Sequence, residues 1–272
     1  SQMMESQHFS SLFIGHLIGA GLCEELFKSI PVWLALLLAP RLNRLNIAGF
    51  KEKYFTPTVA MLIGASSGIG KEVALALAQK GAKVALVARN TQALAEIKQR
   101  INDKGQTAEM FPQDLTKLDE IPGLIERIRN HFGGPVDLLV NSAGIAVLGM
   151  VENVPLHAYE NIFKINFFVP LMLIQMVTSD MKIKGSGQIV NITSGVGKRG
   201  LPGVSPYCAT KFSLNALTES IRVELDPFGI HVMSFSPGLV STEFQNRTRV
   251  FGEVKEKFGG RGGISPVVAA EK

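Results

Sequence analysis

Tyr207 and Lys211 are the two residues whose types and spacing most directly suggest chemistry. They lie four residues apart at the start of "SPYCATKFSLNALTESIRVEL", residues 205–225, whose apolar spacing predicts an amphipathic helix. Residues i and i+4 are neighbours on one helical face, so the phenol and the ammonium can converge on one point. A solvated surface pair would show the same spacing. The alternative is a tyrosine that donates and accepts a proton, and the rest of the chain has to decide between the two.

Strand and helix patterns alternate from about residue 56 onward. Short apolar runs, among them "TVAMLIG", "AKVALVAR", "VDLLVNSAG", "GQIVNITS" and "IHVMSFSPG", are separated by helical patterns such as "KEVALALAQKG" and "TQALAEIKQRINDKG". Continuous apolar strands that alternate with helices are typical of a parallel sheet covered on both faces. The sequence predicts an α/β fold over residues 56–272, a doubly wound parallel sheet of Rossmann type in three α/β/α layers.

A glycine-rich turn, "GASSGIG" at residues 64–70, lies between the first strand and the first helix. Glycines there permit a tight turn and a close approach of the backbone to a pyrophosphate, and the helix N-terminus offers free N–H groups. The spacing is GxxxGxG and not GxGxxG. Such a turn is also found without a ligand, so it predicts a dinucleotide site only together with other features.

The end of the second strand carries Arg89 in "VALVARN", with no acidic residue. An acidic residue at this place holds the ribose 2′-hydroxyl of NAD, whereas an arginine can hold a 2′-phosphate. The sequence therefore favours NADP(H) over NAD(H). A solvated arginine at a strand end is the alternative, and the turn before it contains no second basic residue.

Four polar residues follow other predicted strands or lie beside them: Asp114 in "PQDLT", Asn141 in "VNSAG", Asn166 in "KINFF" and Ser194 in "NITSG". The carboxyl ends of parallel strands line the ligand crevice of such a fold. Each residue alone could equally be a helix cap or a turn former.

Taken jointly, these motifs resemble the short-chain dehydrogenase/reductase family. The resemblance rests on "GASSGIG", "NSAG", Ser194 thirteen residues before Tyr207, "YCATK", and "SPG" followed by "VST", and it covers roughly residues 58–269. It points to the shorter, single-domain branch of the family. It implies a nicotinamide cofactor and a Ser-Tyr-Lys centre, often completed by an asparagine.

The resemblance assigns a role to each residue of this centre. Tyr207 would be the general acid in reduction and the general base in oxidation. Lys211 would lower the pKa of Tyr207, which is near 10 in a free tyrosine, and would bind the ribose hydroxyls. Ser194 would hold the substrate oxygen, and Asn166 would anchor a water that connects Lys211 to solvent.

The resemblance also assigns the cofactor contacts. The turn and its helix would bind the phosphates, Arg89 the 2′-phosphate, Asp114 the adenine, and the segment after the last strand the nicotinamide. The full set is Gly64, Ser66, Ser67, Gly68, Ile69, Gly70, Arg89, Asp114, Leu115, Asn141, Ala143, Gly144, Tyr207, Lys211, Pro237, Gly238 and Thr242.

The sequence departs from the family pattern in three places. Ile63 stands where the family usually has Thr, and Ser142 stands where it usually has Asn; neither change removes a catalytic group. After "GGISPVVAAEK" the family normally continues with another helix and a final strand, so the chain is expected to lack the usual C-terminal end. That region often closes the substrate pocket.

Composition narrows the class of protein. With 46% hydrophobic and 19% charged residues, the 272-residue chain is expected to be globular. Its net charge of +5 is scattered, which does not favour nucleic acid as a partner. Two cysteines, Cys23 and Cys208, and five scattered histidines form no metal-ligand pattern, so no metal is predicted.

The first 55 residues form a separate apolar extension. Its two apolar runs, "HFSSLFIGHLIGAGLC" and "IPVWLALLLAP", are each shorter than the roughly 20 residues of a membrane-spanning helix. Residues 9–45 could be a pair of buried or partner-covered helices, or a hairpin on a membrane surface with basic residues at its edge. The expected location is the cytoplasm, with or without that peripheral membrane contact.

These observations predict an NADP(H)-dependent oxidoreductase that reduces a ketone or aldehyde, or oxidises a secondary alcohol. The apolar residues of "GLVSTEFQNRTRVFGEV" and of the extension favour a lipophilic substrate. A non-catalytic, NADP-binding regulatory or scaffold protein is the alternative. An epimerase or dehydratase of the family's longer branch fits poorly, because that branch uses GxxGxxG and a larger substrate domain. The resemblance also implies a homodimer or homotetramer.

Overall fold

The computed structural model describes residues 59–238, 240, 242, 244, 248–252, 266 and 269. The predicted N-terminal extension and its membrane contact fall outside the described residues, as does most of the chain after residue 252. They stay predictions.

The described chain contains eight strands. Their bounds are β1 (Val59–Ile63), β2 (Lys83–Ala88), β3 (Ala108–Pro112), β4 (Leu138–Asn141), β5 (Val147–Gly149), β6 (Gly187–Ile192), β7 (Ile230–Phe235) and β8 (Arg249–Phe251). Six of them form one parallel sheet in the order β3-β2-β1-β4-β6-β7. Because the order reverses between β1 and β4, a crevice opens there at the carboxyl ends of the strands. The predicted Rossmann-type sheet is confirmed.

Helices cover both faces of this sheet. Their bounds are α1 (Gly68–Gln79), α2 (Thr91–Asn102), α3 (Ile121–Phe132), α4 (Leu156–Phe163), α5 (Val169–Lys184) and α6 (Ser205–Leu225). A π-helical segment, Lys164–Phe168, joins α4 to α5. Short 3₁₀ turns lie at Leu118–Glu120, Gly195–Gly197 and Asp226–Phe228.

The alternation of side chains along each strand divides the core into two layers. In β1, Val59, Met61 and Ile63 point to the layer formed with α3, α5 and α6. Ala60 and Leu62 point to the opposite layer, formed with α1 and α2. All five are buried, which explains why β1 is apolar at every position and does not alternate with polar residues.

One described helix, Leu156–Lys184 taken through its π-helical segment, has the length and composition of a membrane span. Its buried face carries Leu173, Ile174 and Val177, which pack against the sheet in the core. The core layer that this helix forms accounts for part of its apolar character.

A second, two-stranded sheet was not predicted. β5 and β8 pair in parallel, with Val147 opposite Arg249 and Gly149 opposite Phe251. Each strand is three residues long and the two are about a hundred residues apart, so no local pattern signals the pairing. This small sheet fixes the end of the segment that follows β7, and that segment carries Thr242.

Candidate active site

The glycine-rich turn brings three pieces of backbone into contact. Gly64 has φ of +85°, and a Cβ there would lie 2.6 Å from the backbone nitrogen of Ala143. A Cβ on Gly70 would overlap the carbonyl oxygen of Gly64. The turn after β1, the start of α1 and the end of β4 can approach this closely only because these positions lack side chains.

The start of α1 has the character of an anion site. Gly68, Ile69 and Gly70 open the helix, and the N–H groups of a first helical turn have no intrahelical acceptor. The turn carries no acidic residue, so the positive end of the helix is not neutralised. Ser66 and Ser67 lie just before it, partly exposed. These residues fit the diphosphate of a dinucleotide.

Thr242 lies above this helix start. A Cβ on Gly68 would be 3.1 Å from the methyl carbon of Thr242, so the segment after β7 passes within van der Waals distance of the turn. The Thr242 hydroxyl accepts a hydrogen bond from the backbone N–H of Phe244 at 3.3 Å. Pro237 begins this segment, and its carbonyl accepts from the N–H of Gly195 at 3.2 Å; Gly238 follows and is exposed.

Arg89 and Asp114 follow neighbouring strands. Arg89 is exposed at the end of β2. The Asp114 carboxylate accepts from the N–H and the hydroxyl of Thr116, at 3.0 and 2.9 Å. These two bonds, followed by the charges of Arg89 and Lys117, lower the pKa of Asp114. Asp114 is therefore an ionised acceptor at neutral pH, and Leu115 beside it is buried.

Asn141 lies inside the sheet. Its side chain is 2% exposed, and its amide NH₂ donates to the Oδ1 of Asn191 on β6 at 2.8 Å. The Asn141 Oδ1 has no hydrogen-bond partner among the described residues. In this position Asn141 joins β4 to β6, and a contact with an adenosine group would have to use that oxygen or the backbone.

Ser194, Tyr207 and Lys211 converge at the carboxyl end of β6. Ser194 follows this strand, and its side chain accepts from the N–H of Val196 at 3.4 Å. It also lies close enough to the phenol of Tyr207, in the first turn of α6, to lower the pKa of that phenol. The Nζ of Lys211 lies 5.7 Å from the centre of the Tyr207 ring and donates to the carbonyl of Ile192 at 2.9 Å. Gly144 adjoins them, since a Cβ there would be 3.8 Å from the Lys211 Nζ.

Burial has the largest effect on the pKa values of the Tyr207 phenol and the Lys211 ammonium. It raises the pKa of Tyr207 to about 12, against an opposing hydrogen bond from Ser194. It also lowers the pKa of Lys211 to about 8. The predicted lowering of the Tyr207 pKa rests on Lys211 together with the positive nicotinamide of the oxidised cofactor, and it stays a prediction; Lys211 by itself does not lower this pKa in the present geometry. Because the ammonium is bound to the Ile192 carbonyl and lies over the ring, it offsets little of the cost of burying a phenolate.

Asn166 lies in the π-helical segment and is fully buried. Its Oδ1 accepts from the N–H of Ile145 at 2.9 Å. Its amide NH₂ donates to the carbonyl of Ile145 at 3.0 Å and to the Oγ1 of Thr210 at 3.1 Å. Both amide hydrogens are thus occupied by protein atoms, so the predicted water would have to be bound by a group other than this NH₂.

Two neighbours of the centre escaped the sequence analysis. The ring of Phe244 lies 5.8 Å from that of Tyr207, tilted by 49°. Thr210 bonds to the backbone of Tyr207. A local signal existed only for Thr210, which lies within "YCATK", three residues after Tyr207.

The lowered pKa of Lys211 predicts a pH dependence of stability. Between pH 8 and the unperturbed value of 10.5 the unfolded chain holds this proton and the folded chain does not, so the free energy of unfolding rises with pH. We expect a gain of about 2 kcal/mol from pH 8 to pH 10. The measurement is the free energy of unfolding in urea of wild type and of Lys211→Met across this pH range. We expect the wild-type value to rise relative to that of Lys211→Met. An equal change with pH in the two proteins would contradict the prediction.

Comparison with known proteins agrees with the family that the sequence motifs resemble. The family described as short chain dehydrogenase matches residues 58–251. An uncharacterized oxidoreductase of Staphylococcus saprophyticus is 36% identical over 191 residues, 70% of this chain and 81% of that protein. A short-chain dehydrogenase from Sphingobium yanoikuyae in complex with NADPH superposes with a TM-score of 0.71 at 28% identity, covering 78% of this chain and 81% of that one. NAD⁺-bound xylitol dehydrogenase superposes with a TM-score of 0.65 at 30% identity, covering 68% and 71%.

Proposed function

The chain belongs to the short-chain dehydrogenase family, and from this premise we propose that it is an NADP(H)-dependent reductase of a lipophilic ketone or aldehyde. The reverse reaction would be the oxidation of the corresponding secondary alcohol. The observation that carries the proposal is the convergence of Ser194, Tyr207 and Lys211 at the carboxyl end of β6, beside the glycine-rich turn.

A nicotinamide cofactor would supply the hydride in reduction and accept it in oxidation. The residues of the chain do the rest. The hydroxyls of Ser194 and Tyr207 point two donors at one substrate oxygen, which stabilises the negative charge that develops there. Tyr207 then gives its proton to that oxygen. Lys211 keeps a positive charge beside the phenolate that remains.

The protonation of Tyr207 favours reduction. With a pKa of about 12, the phenol carries its proton at neutral pH, which is the state that a general acid needs. Oxidation would need the phenolate, which is scarce under the same conditions. We infer that reduction is the faster direction near neutral pH.

Arg89 supports the preference for NADPH. It is exposed after β2, where a 2′-phosphate would lie in this fold, and no carboxylate occupies the end of that strand. The similar structures include both an NADPH complex and an NAD⁺ complex, so the preference rests on Arg89.

The surroundings of Tyr207 support an apolar substrate. The partly exposed ring of Phe244 lies 5.8 Å from that of Tyr207. A substrate oxygen held by Ser194 and Tyr207 would therefore have an aromatic, apolar group next to it.

The experiment that tests this function follows NADPH and NADH oxidation with ketones and aldehydes graded in chain length. We expect NADPH to be preferred at least about tenfold in kcat/KM, with kcat/KM rising with apolar length by roughly threefold or more per added methylene in the smaller substrates. Arg89→Ala removes the preference for NADPH, whereas Arg100→Ala on the exposed side of α2 keeps it. NADPH binding without turnover of any substrate would instead support the non-catalytic alternative.

Two further proposals concern assembly and location. Phe168 in the π-helical segment and Phe212 in α6 are each more than two-fifths exposed, which supports a homo-oligomer that covers these helices. Sedimentation of the full chain would give its size. We also propose a cytoplasmic location, with any membrane contact confined to residues 9–45.

A further inference from the structure

Thr210 lies inside the catalytic helix, one residue before Lys211, and has no exposed surface. It therefore cannot contact a substrate directly. Its hydroxyl makes two hydrogen bonds: it donates to the carbonyl oxygen of Tyr207 at 2.8 Å and accepts from the amide NH₂ of Asn166 at 3.1 Å. Both partners belong to the predicted catalytic set.

Asn166 is itself fixed from another direction. Its amide forms a two-bond contact with the backbone of Ile145, in the segment that follows β4. Thr210 therefore completes a chain of hydrogen bonds that begins after β4, passes through the π-helical segment and ends at the backbone of Tyr207. This series of hydrogen bonds connects three parts of the fold at the backbone of Tyr207.

We propose that Thr210 is a positioning residue that sets the placement of the Tyr207 phenol relative to Ser194 and Lys211. The inference rests on the proposed function for its kinetic consequences. The physical reason is that the first turn of a helix frays easily, because its N–H groups lack intrahelical acceptors. A bond from the side chain to the carbonyl of Tyr207, anchored through Asn166, holds that turn to the π-helical segment.

A purely structural role is the competing explanation, since a buried threonine often bonds to a carbonyl one turn earlier. The chain contains a matched control for it. Thr218, two turns further along α6, is also fully buried. It donates to the carbonyl of Leu214 at 2.6 Å and accepts from the NH₂ of Asn191 at 2.9 Å. It has the same chemistry as Thr210 and does not bond to the Tyr207 backbone or to Asn166.

The kinetic test compares Thr210→Val, Thr210→Ser and Thr218→Val in the full-length protein. We expect Thr210→Val to lower kcat by about 10- to 100-fold with KM changed less than about threefold, because a small misplacement of a reacting group costs on this order. Thr210→Ser keeps the hydroxyl and stays within about threefold of wild type. Thr218→Val is expected to lose a similar amount of stability and keep kcat within about twofold.

The pH profile supplies a readout that a structural role would not move. Tyr207 is faced by Ser194 from the loop after β6 and by Lys211 and Cys208 from its own helix, and Tyr159 of α4 packs against the same apolar cluster. Ser194 lowers the pKa of Tyr207, so a loosened turn that weakens this contact raises that pKa. Oxidation needs the phenolate, and its rate therefore rises with pH as Tyr207 ionises. Thr210→Val should shift this rising limb of the oxidation profile to higher pH by about half a unit or more. Thr218→Val should leave it in place.

A second measurement needs no turnover. The chain has three tyrosines, so uniform 3-fluorotyrosine labelling gives few fluorine resonances, and Tyr207→Phe assigns the one from Tyr207. We expect Thr210→Val to shift that resonance and Thr218→Val to leave it unchanged. If Thr210→Val fails to fold, Thr210→Ala takes its place, since it removes the same hydroxyl without adding an apolar branch.

The outcomes separate the two proposals. An active wild type in which Thr210→Val and Thr218→Val behave alike, with the Tyr207 resonance unmoved, overturns the role of Thr210. A wild type without turnover overturns the proposed function, and the fluorine spectra then decide the positioning of Tyr207 alone.

Discussion

Replacing Tyr207 by phenylalanine is expected to lower kcat for ketone reduction by about a thousandfold or more. The change removes one oxygen from a ring that stays in place among Phe244, Val147 and Leu148, so the fold should be retained. What is lost is the proton donor and one of two donors to the substrate oxygen, and such groups contribute on the order of 10²- to 10⁴-fold each.

The measurement is single-turnover NADPH oxidation with the best ketone of the graded series, together with NADPH affinity by fluorescence. Affinity should change less than about threefold, because the phenol contributes to the chemical step more than to cofactor binding. Ser220→Ala is the control. Its exposed hydroxyl donates to the carbonyl of Ala216 at 3.0 Å, more than three turns along α6 from Tyr207, and its loss should leave turnover near wild type. A Tyr207→Phe variant that keeps more than a tenth of kcat would contradict the role of Tyr207.

Gly70→Ala is expected to weaken NADPH binding by about 100-fold and to destabilise the fold. In most helices this substitution is favourable by roughly 0.5–1 kcal/mol, since glycine is the more flexible residue. Here the added Cβ would overlap the carbonyl oxygen of Gly64, and relief requires α1 to move away from the turn. Overpacking of this kind costs about 1–3 kcal/mol, and the movement displaces the N–H groups that fit a diphosphate.

The measurement combines NADPH titration with urea unfolding. Gly134→Ala is the control, because a Cβ at Gly134 meets no atom within 4 Å and the residue does not have a positive φ. It should bind NADPH like wild type. Equal stability and affinity in both variants would show that the start of α1 does not form the cofactor site.

The large parallel sheet was predictable because its signals are local. β1, β2, β4, β6 and β7 are short apolar runs followed by helical or turn patterns, and each predicted strand is present within a few residues of its expected bounds. β3 was not predicted, since "AEMFP" mixes Glu and Pro with apolar residues at the sheet edge. β5 and β8 gave no signal, because their pairing depends on tertiary proximity alone.

For the site, sequence spacing predicted which residues come together, but it did not predict their burial, pKa values or hydrogen-bond partners. The i, i+4 spacing placed Tyr207 and Lys211 on one helical face, and the end of a strand placed Ser194 beside them. The pKa of Tyr207 could not be read in the same way, because it depends on burial under segments distant in sequence. The same holds for the amide of Asn166, whose partners Ile145 and Thr210 lie 21 and 44 residues away.

The measurement that tests the central claim most directly is deuterium transfer. The protein is incubated with NADPH that carries deuterium at both C4 positions of the nicotinamide and with the best ketone of the graded series, and the alcohol is analysed by mass spectrometry and proton NMR. Hydride transfer at the centre formed by Ser194, Tyr207 and Lys211 predicts one deuterium at the carbinol carbon, formed by wild type and absent with Tyr207→Phe. An unlabelled alcohol, or equal labelling by both proteins, would contradict it.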